Sequence, residues 1–322
     1  MKAIVYTKYG SPDVLELKEV EKPTPKDDEV LIKVYATSVN AADLDHLRGT
    51  FLIRLGGPLK PTYKILGSDI AGRVEAIGGN VTQFQPGDEV FGDLSECGFG
   101  AFAEYVCIPE KALALKPINM TFEETVTLCS ASVIALQGLR DKRQIQPGHK
   151  VLINGAGGSV GTFAVQIAKL FGAEVTAVDS PKKLDMLRSI GADHVIDYTQ
   201  VDFTKNGQRY DLILDLVAYR SIFEYKRALA PDGIFVMVGG STSTIFQSFF
   251  LGAWISSRGS QKMGMLMVRQ SQKDLIFMKE LLEAGKVTPV IDRCYPLSET
   301  SEAFWYLESR HTQGKIVITV AT

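Results

Sequence analysis

Residues 151–180 read VLINGAGGSVGTFAVQIAKLFGAEVTAVDS, and this stretch narrows the fold more than any other part of the chain. A continuously apolar run ends in glycines, the glycines open an apolar-rich segment of helical length, and a second apolar run ends in an acid. That order predicts strand, phosphate-cradling turn, helix and strand. Glycines let the backbone approach a pyrophosphate, while a helix N-terminus presents unpaired N–H groups and a partial positive charge to it. A strict G-x-G-x-x-G beginning at Gly155 fails, because Val160 takes the third glycine position. The register that fits is Ala156-x-Gly158-x-x-Gly161, with Gly157, Ser159 and Val160 completing the turn. The competing reading is a purely structural glycine turn. Asp179, ending the second strand where a ribose 2′-OH would be held, favours a nicotinamide dinucleotide site instead.

Beyond this unit the pattern continues as strand then helix, through PKKLDMLRSIGA, HVIDY, YDLILDLV, SIFEYKRALAP and GIFVMVGG. Continuously apolar strands alternating with helices predict a parallel sheet covered on both faces. The first third has a different texture, with short β-like runs such as KAIVYT, EVLIKVYATSVN and AFAEYVCIP punctuated by Pro, Gly and Asp. It predicts an antiparallel, barrel-like domain. Thr121 followed by Glu124 is a capping box that opens a helix. Residues 241–270 read as irregular, and the closing strand GKIVITV is expected to return to the first domain. The resulting division is 1–117 with 290–322 as the β-rich domain, and 118–289 as the dinucleotide-binding domain.

A formal net charge of -2 and the absence of any Lys/Arg block argue against nucleic acid or an anionic membrane as partner. The longest apolar stretches, such as SFFLGAWI, fall short of the roughly 20 residues a membrane span requires. No signal-peptide core opens the chain, so a cytoplasmic location and a small-molecule substrate are expected. Four cysteines lie without C-x-x-C pairing or a histidine at metal-ligand spacing, so neither a disulfide framework nor a structural zinc lobe is expected.

With both halves in place, the sequence resembles the medium-chain dehydrogenase/reductase superfamily, in its zinc-free quinone oxidoreductase branch. The resemblance runs through MKAIVYTKYGSPDVLEL, VNAADLDHLRG, LGSDIAGRVEAIGGNVTQFQPGDEVFG, GAFAEYVCIPE, the A-x-G-x-x-G turn, IGADHVIDY and GKIVITV. It implies an α/β protein with a GroES-like β-barrel catalytic domain and a Rossmann doubly wound parallel-sheet domain, a site at their junction, and a homodimer. It also implies hydride transfer from NAD(P)H to a quinone or an α,β-unsaturated carbonyl. Two alternatives stay open: alcohol dehydrogenase-type activity on small alcohols and aldehydes, and a dinucleotide-binding protein without turnover.

In the zinc-dependent branch, the segment matching GSDIAG carries a metal-binding histidine, for which this chain has Ser68, followed by Asp69. The other two ligand positions fall on Asn40 and Ser130, beside Cys129. Two hydroxyls and an amide do not supply the thiolate and imidazole donors of zinc, so no metal is expected. Asn40 is then the first candidate to donate to the carbonyl oxygen that gains negative charge, with an Asx turn as its ordinary reading. Asp43 completes the family's Asn-x-x-Asp pattern and is expected to brace that loop. His46 and Tyr63 are the nearest proton donors by sequence. Asp45, Phe51 and Ile134 stand where relatives place tyrosines and a threonine, so those roles do not transfer.

For the cofactor, Asp179 favours NAD(H), whereas Ser180, Lys182 and Lys183 suit a 2′-phosphate. The resemblance tips the balance slightly to NADP(H) and leaves NAD(H) open. Tyr198 matches a family tyrosine at the adenosine phosphate end. Val238, Gly239, Gly240 and Ser241, at the carboxyl edge of the sheet, are expected near the nicotinamide. Phe246, Phe249, Phe250 and Trp254 are expected either to line an apolar acceptor pocket or to form a dimer surface.

Overall fold

A computed structural model describes residues 1–141 and 144–320. Its fifteen strands are β1 Lys2–Val5, β2 Glu16–Glu19, β3 Glu29–Val39, β4 Asp69–Ile77, β5 Glu89–Asp93, β6 Tyr105–Pro109, β7 Leu113–Leu115, β8 Lys150–Asn154, β9 Glu174–Asp179, β10 His194–Asp197, β11 Tyr210–Asp215, β12 Leu229–Met237, β13 Lys262–Met265, β14 Ile291–Pro296 and β15 Lys315–Thr319. They divide between two units. One comprises residues 1–130, 270–283 and 289–322, and the other 131–269 and 284–288.

The first unit is built on a seven-stranded sheet ordered β14-β15-β3-β4-β5-β7, with β6 also paired to β3. All pairings are antiparallel except β14 with β15. The central strand β3, EVLIKVYATSV, is β-branched and mostly buried, as a strand with neighbours on both edges and cover on its faces should be. Register shifts at Leu31/Ile32 and Val34/Ala36 mark bulges that bend it. The last strand, β15, does return to this unit, pairing Ile316 with Val39 and Val317 with Ser38. This register carries residue 315 to the end of β3, where residue 40 begins.

The second unit is a six-stranded, wholly parallel sheet ordered β10-β9-β8-β11-β12-β13. Numbered within the unit, that order is 3-2-1-4-5-6, the Rossmann arrangement, with the order reversing between β8 and β11. The sequence expectation of an irregular segment over 241–270 is corrected here. Residues Thr242–Arg258 form a helix and Lys262–Met265 the sixth strand. The Ser241 hydroxyl caps the helix by accepting from the Thr244 amide at 3.2 Å, and no proline interrupts the seventeen residues that follow. Its many Ser, Thr and Phe residues depress helix propensity, and packing of Ser248, Gly252 and Ile255 against the unit overrides that. The stretch after Thr121 forms two helices, Phe122–Val126 and Cys129–Arg140, the first closed by the expected Thr121/Glu124 box.

Candidate active site

In the Rossmann unit, β8 runs into the glycine turn and helix Ser159–Leu170 begins at Gly158. Gly157 is buried, whereas Gly158, Ser159 and Val160 are half-exposed at the helix start, where the first-turn amides have no partner within the helix. Ala156 and Gly161 are in close contact: a Cβ on Gly161 would lie 2.4 Å from the Ala156 carbonyl oxygen. The third glycine of the fingerprint therefore serves helix–strand packing.

Asp179 is not posed as the sequence suggested. Its Oδ2 accepts the Gly157 amide at 2.7 Å, its Oδ1 accepts the Ser180 amide at 2.8 Å, and the Lys183 ammonium lies 3.4 Å from Oδ1. Asp179 and Lys183 are 8% and 7% exposed, so the carboxylate is turned into the turn and neutralised there. Of the two lysines, only Lys182 is exposed. Tyr198 follows β10, donates its amide to the Asp179 carbonyl at 3.3 Å, and leaves its ring half-exposed. Val238 donates to the Asp215 carbonyl, Gly239 accepts from Ala218, and Ser241 donates back to Ala218, each at 2.8 Å. A Cβ at Gly240 would meet the Ala218 carbonyl oxygen at 2.2 Å, so these loops after β11 and β12 approach more closely than any side chain allows.

In the β-rich unit, the residues flagged by GSDIAG converge on one buried ion pair. Lys315, 1% exposed, places its Nζ 2.8 Å from Asp69 Oδ2 and 2.6 Å from Asn40 Oδ1. Asn40 Nδ2 donates to Asp69 Oδ2 at 2.9 Å and to Ser68 Oγ at 3.3 Å. Ser38 Oγ donates to Asp69 Oδ2 at 2.5 Å, and the Ser130 amide donates to Asp69 Oδ1 at 3.0 Å. Burial opposes ionisation of Asp69, but the Lys315 charge and the donors from Ser38 and Asn40 outweigh it and hold the carboxyl below its ordinary range. Around it lie two further buried carboxyls. Asp43 accepts the Asn40 amide at 2.8 Å and the Gly67 amide at 3.0 Å, tying the start of helix Ala41–Arg48 to the segment before β4. Burial nonetheless pushes Asp43 up to about 7, and burial with the nearby Asp69 charge pushes Asp93 up to about 7. Gly67 adopts φ +91°, the left-handed region that a residue with a side chain avoids.

His46, Tyr63 and Phe99 form an aromatic group with ring centroids 4.7–5.7 Å apart. Burial lowers the His46 pKa and so favours the neutral imidazole. Cys129 is buried, donates to the Ile70 carbonyl at 3.4 Å, and is pushed well up by burial. Phe246, Phe249, Phe250 and Trp254 share the outer face of helix Thr242–Arg258 and are 48%, 68%, 64% and 47% exposed.

Lys315 was not among the residues singled out from the sequence. The available signal was a lysine opening the apolar strand KIVIT, together with an aspartate opening the buried half of β4, since a buried carboxylate needs a cation or donors. The donor set does not fit a catalytic zinc. Asn40, Ser68 and Ser130 supply neutral oxygen and nitrogen, and an ammonium already sits on the Asn40 carbonyl oxygen. Among the described residues, no group of three His, Cys, Asp or Glu side chains is arranged to hold a metal. Among them too, no helix is long and apolar enough to cross a membrane.

Residues 26–118 match the Alcohol dehydrogenase GroES-like domain family and residues 190–318 the Zinc-binding dehydrogenase family. The chain is 37% identical over 329 residues to a 2-methylene-furan-3-one reductase of Solanum lycopersicum, covering 99% of this chain and 79% of that protein. It is 35% identical over 331 residues to an NADPH-dependent alkenal/one oxidoreductase of Arabidopsis thaliana, a chloroplast protein, with the same coverage of 99% and 79%. The structure of a quinone oxidoreductase from Coxiella burnetii superposes with a TM-score of 0.90 at 29% identity, covering 100% of this chain and 99% of that one. The chain belongs to the medium-chain dehydrogenase/reductase superfamily, in its quinone oxidoreductase-like branch.

Proposed function

We propose that this protein is a zinc-independent, NADPH-preferring oxidoreductase that transfers hydride to the activated double bond of an α,β-unsaturated carbonyl or to a quinone. The observation that carries the reading is the buried Lys315–Asp69 pair gripping Asn40, a hydrogen-bonding centre at the positions where the zinc branch keeps its ligands. The reductase and oxidoreductase names of the relatives support the same substrate class.

Bound NADPH supplies the hydride. The first-turn amides at Ser159, Val160 and Gly161 would hold the pyrophosphate, and Gly158 would keep a side chain out of its way, while the absence of a Cβ at Gly157 makes room for Lys183 and Asp179. Asp179 shapes that turn through Gly157 and carries no net repulsion toward a 2′-phosphate, because Lys183 neutralises it. Ser180 and Lys182 are left to take the phosphate. Hydride arrival at an enone β-carbon or a quinone ring places negative charge on the carbonyl oxygen. Asn40 Nδ2 donates to that oxygen with the proton now resting on Ser68 at 3.3 Å, the longest bond in the cluster made by that nitrogen. Asp43 braces the loop that carries Asn40. A homodimer that covers the aromatic face of helix Thr242–Arg258 is part of the same proposal.

One preparation tests the reading: NADPH and NADH oxidation against a panel of 2-alkenals, enones and quinones, zinc content by elemental analysis, and mass by sedimentation. Turnover of enones or quinones with NADPH in metal-free protein is the expected result. Stoichiometric zinc with chelator-sensitive alcohol oxidation, or tight NADPH binding without turnover of any acceptor, would overturn it.

A further inference from the structure

The Lys315 ammonium can only donate hydrogen bonds and the Asp69 carboxylate can only accept them. The Asn40 amide lies alongside this pair, with Lys315 Nζ 2.6 Å from its carbonyl oxygen and Asp69 Oδ2 2.9 Å from its nitrogen, while Nζ and Oδ2 are themselves 2.8 Å apart. The oxygen and nitrogen of an asparagine amide are nearly the same size, so shape alone does not choose between its two flipped orientations. Here charge chooses. Flipping the amide would set its NH2 against an ammonium and its carbonyl against a carboxylate, in a site where Lys315 is 1% and Asp69 0% exposed and water does little to screen either repulsion.

We propose that Lys315 is a positioning residue for hydride transfer: by fixing the carbonyl end of Asn40, it makes the amide present N–H rather than C=O to the acceptor oxygen. This rests on the reading of Asn40 as the donor. The wrong orientation would point a lone pair at an oxygen gaining negative charge, turning stabilisation into repulsion. Asp69 provides the second half of the clamp, and Ser38 and the Ser130 amide hold Asp69 in turn. A role confined to folding would require only that the buried charges cancel, whereas the positioning role requires that they lie on opposite ends of one amide.

The two roles separate in variants. Lys315→Met alone leaves Asp69 as an uncompensated buried charge and is expected to destabilise the unit strongly. The double variant Lys315→Met/Asp69→Asn removes both charges, so it restores the balance but leaves the Asn40 amide free to flip. Expected for the double variant are a cooperative melting transition, wild-type NADPH affinity by fluorescence titration, and kcat with a 2-alkenal lowered by about 10²-fold, with kcat/KM falling in parallel. Lys315→Arg, which keeps a donor-only cation at the site, is expected to retain far more activity than Lys315→Met. Unchanged kcat in the folded double variant, or equal impairment of the Arg and Met variants, would overturn the assignment. Asn40→Ala serves as the control. If it lowers kcat while the double variant does not, the Lys315 inference alone fails; if it leaves kcat unchanged, the underlying reading of Asn40 fails with it.

Discussion

Asp179 Oδ2 accepts the backbone amide of Gly157 at 2.7 Å, so the acid that ends the second Rossmann strand is bound into the glycine turn instead of standing clear to meet a ribose. Lys183, four residues on, sits 3.4 Å from the same carboxylate and is 7% exposed. Under the proposed function, cofactor choice then falls to Ser180 and the exposed Lys182 rather than to either of these residues. Asp179→Ala is expected to weaken NADPH and NADH alike, because it loosens the turn that both require. Lys182→Ala is expected to weaken NADPH by about tenfold and leave NADH unchanged. Fluorescence titration of the two cofactors checks both variants. Selective improvement of NADPH binding in Asp179→Ala would show that the carboxylate discriminates after all.

Two glycines of the fingerprint separate folding from ligand binding. A Cβ on Gly161 would lie 2.4 Å from the Ala156 carbonyl oxygen and 2.5 Å from its Cα, whereas a Cβ on Gly158 would meet nothing closer than the Gly155 carbonyl oxygen at 3.6 Å. Gly161→Ala is expected to destabilise the protein by about 1–3 kcal/mol through overpacking. Gly158→Ala is expected to melt like the wild type and to bind NADPH at least about tenfold more weakly, since the added methyl group intrudes only when the pyrophosphate approaches. Thermal unfolding and cofactor titration on the same samples decide the matter; a wild-type affinity in Gly158→Ala would show that the pyrophosphate does not pass that glycine.

The glycine turn and the alternation of strands and helices were legible in the sequence because they are local: each depends on residues within one strand, turn and helix. The helix at Thr242–Arg258 was not, since its Ser, Thr and Phe content opposes a packing preference that appears only against the sixth strand. Lys315 was hidden for a stronger reason. It lies 246 residues from Asp69, and only the register of β15 on β3 brings them together. Likewise, nothing in the run PKK distinguishes the buried lysine from the exposed one; the Asp179 carboxylate makes that distinction. Asn40 and Ser68 could be named from sequence, whereas the direction of the Asn40 amide depends on the ion pair around it.

Metal removal provides a further test. Because an ammonium occupies the polar centre and the surrounding donors are amide and hydroxyl groups, extended dialysis against a chelator is expected to leave kcat and the melting temperature unchanged. Added zinc is expected to confer no alcohol oxidation. A fall in kcat on chelation that zinc restores would contradict the hydrogen-bonding account of the site.

Stability against pH should carry two opposed slopes from this one cluster. Asp43 and Asp93 are pushed up to about 7, so the folded protein binds their protons more tightly than the unfolded chain does. Their stabilisation is complete below the ordinary carboxylate value near 4 and is lost as pH rises through about 7. Asp69 is held below the ordinary range, chiefly by Lys315 against the penalty of burial, so its contribution has the other sign. That stabilisation is present above pH of about 4 and disappears as pH falls through the folded-state value. Urea unfolding from pH 4.5 to 8 is therefore expected to show declining stability toward the alkaline end, and Asp43→Asn is expected to flatten that decline. Asp69→Asn, by contrast, should lower stability at neutral pH and flatten only the acid limb below about pH 4. Only the slopes are compared, because each substitution also removes a hydrogen-bond acceptor and shifts the whole curve. An Asp43→Asn protein that keeps the wild-type slope between pH 4.5 and 8 would show that the Asp43 carboxyl, with its two backbone amides, stays ionised throughout.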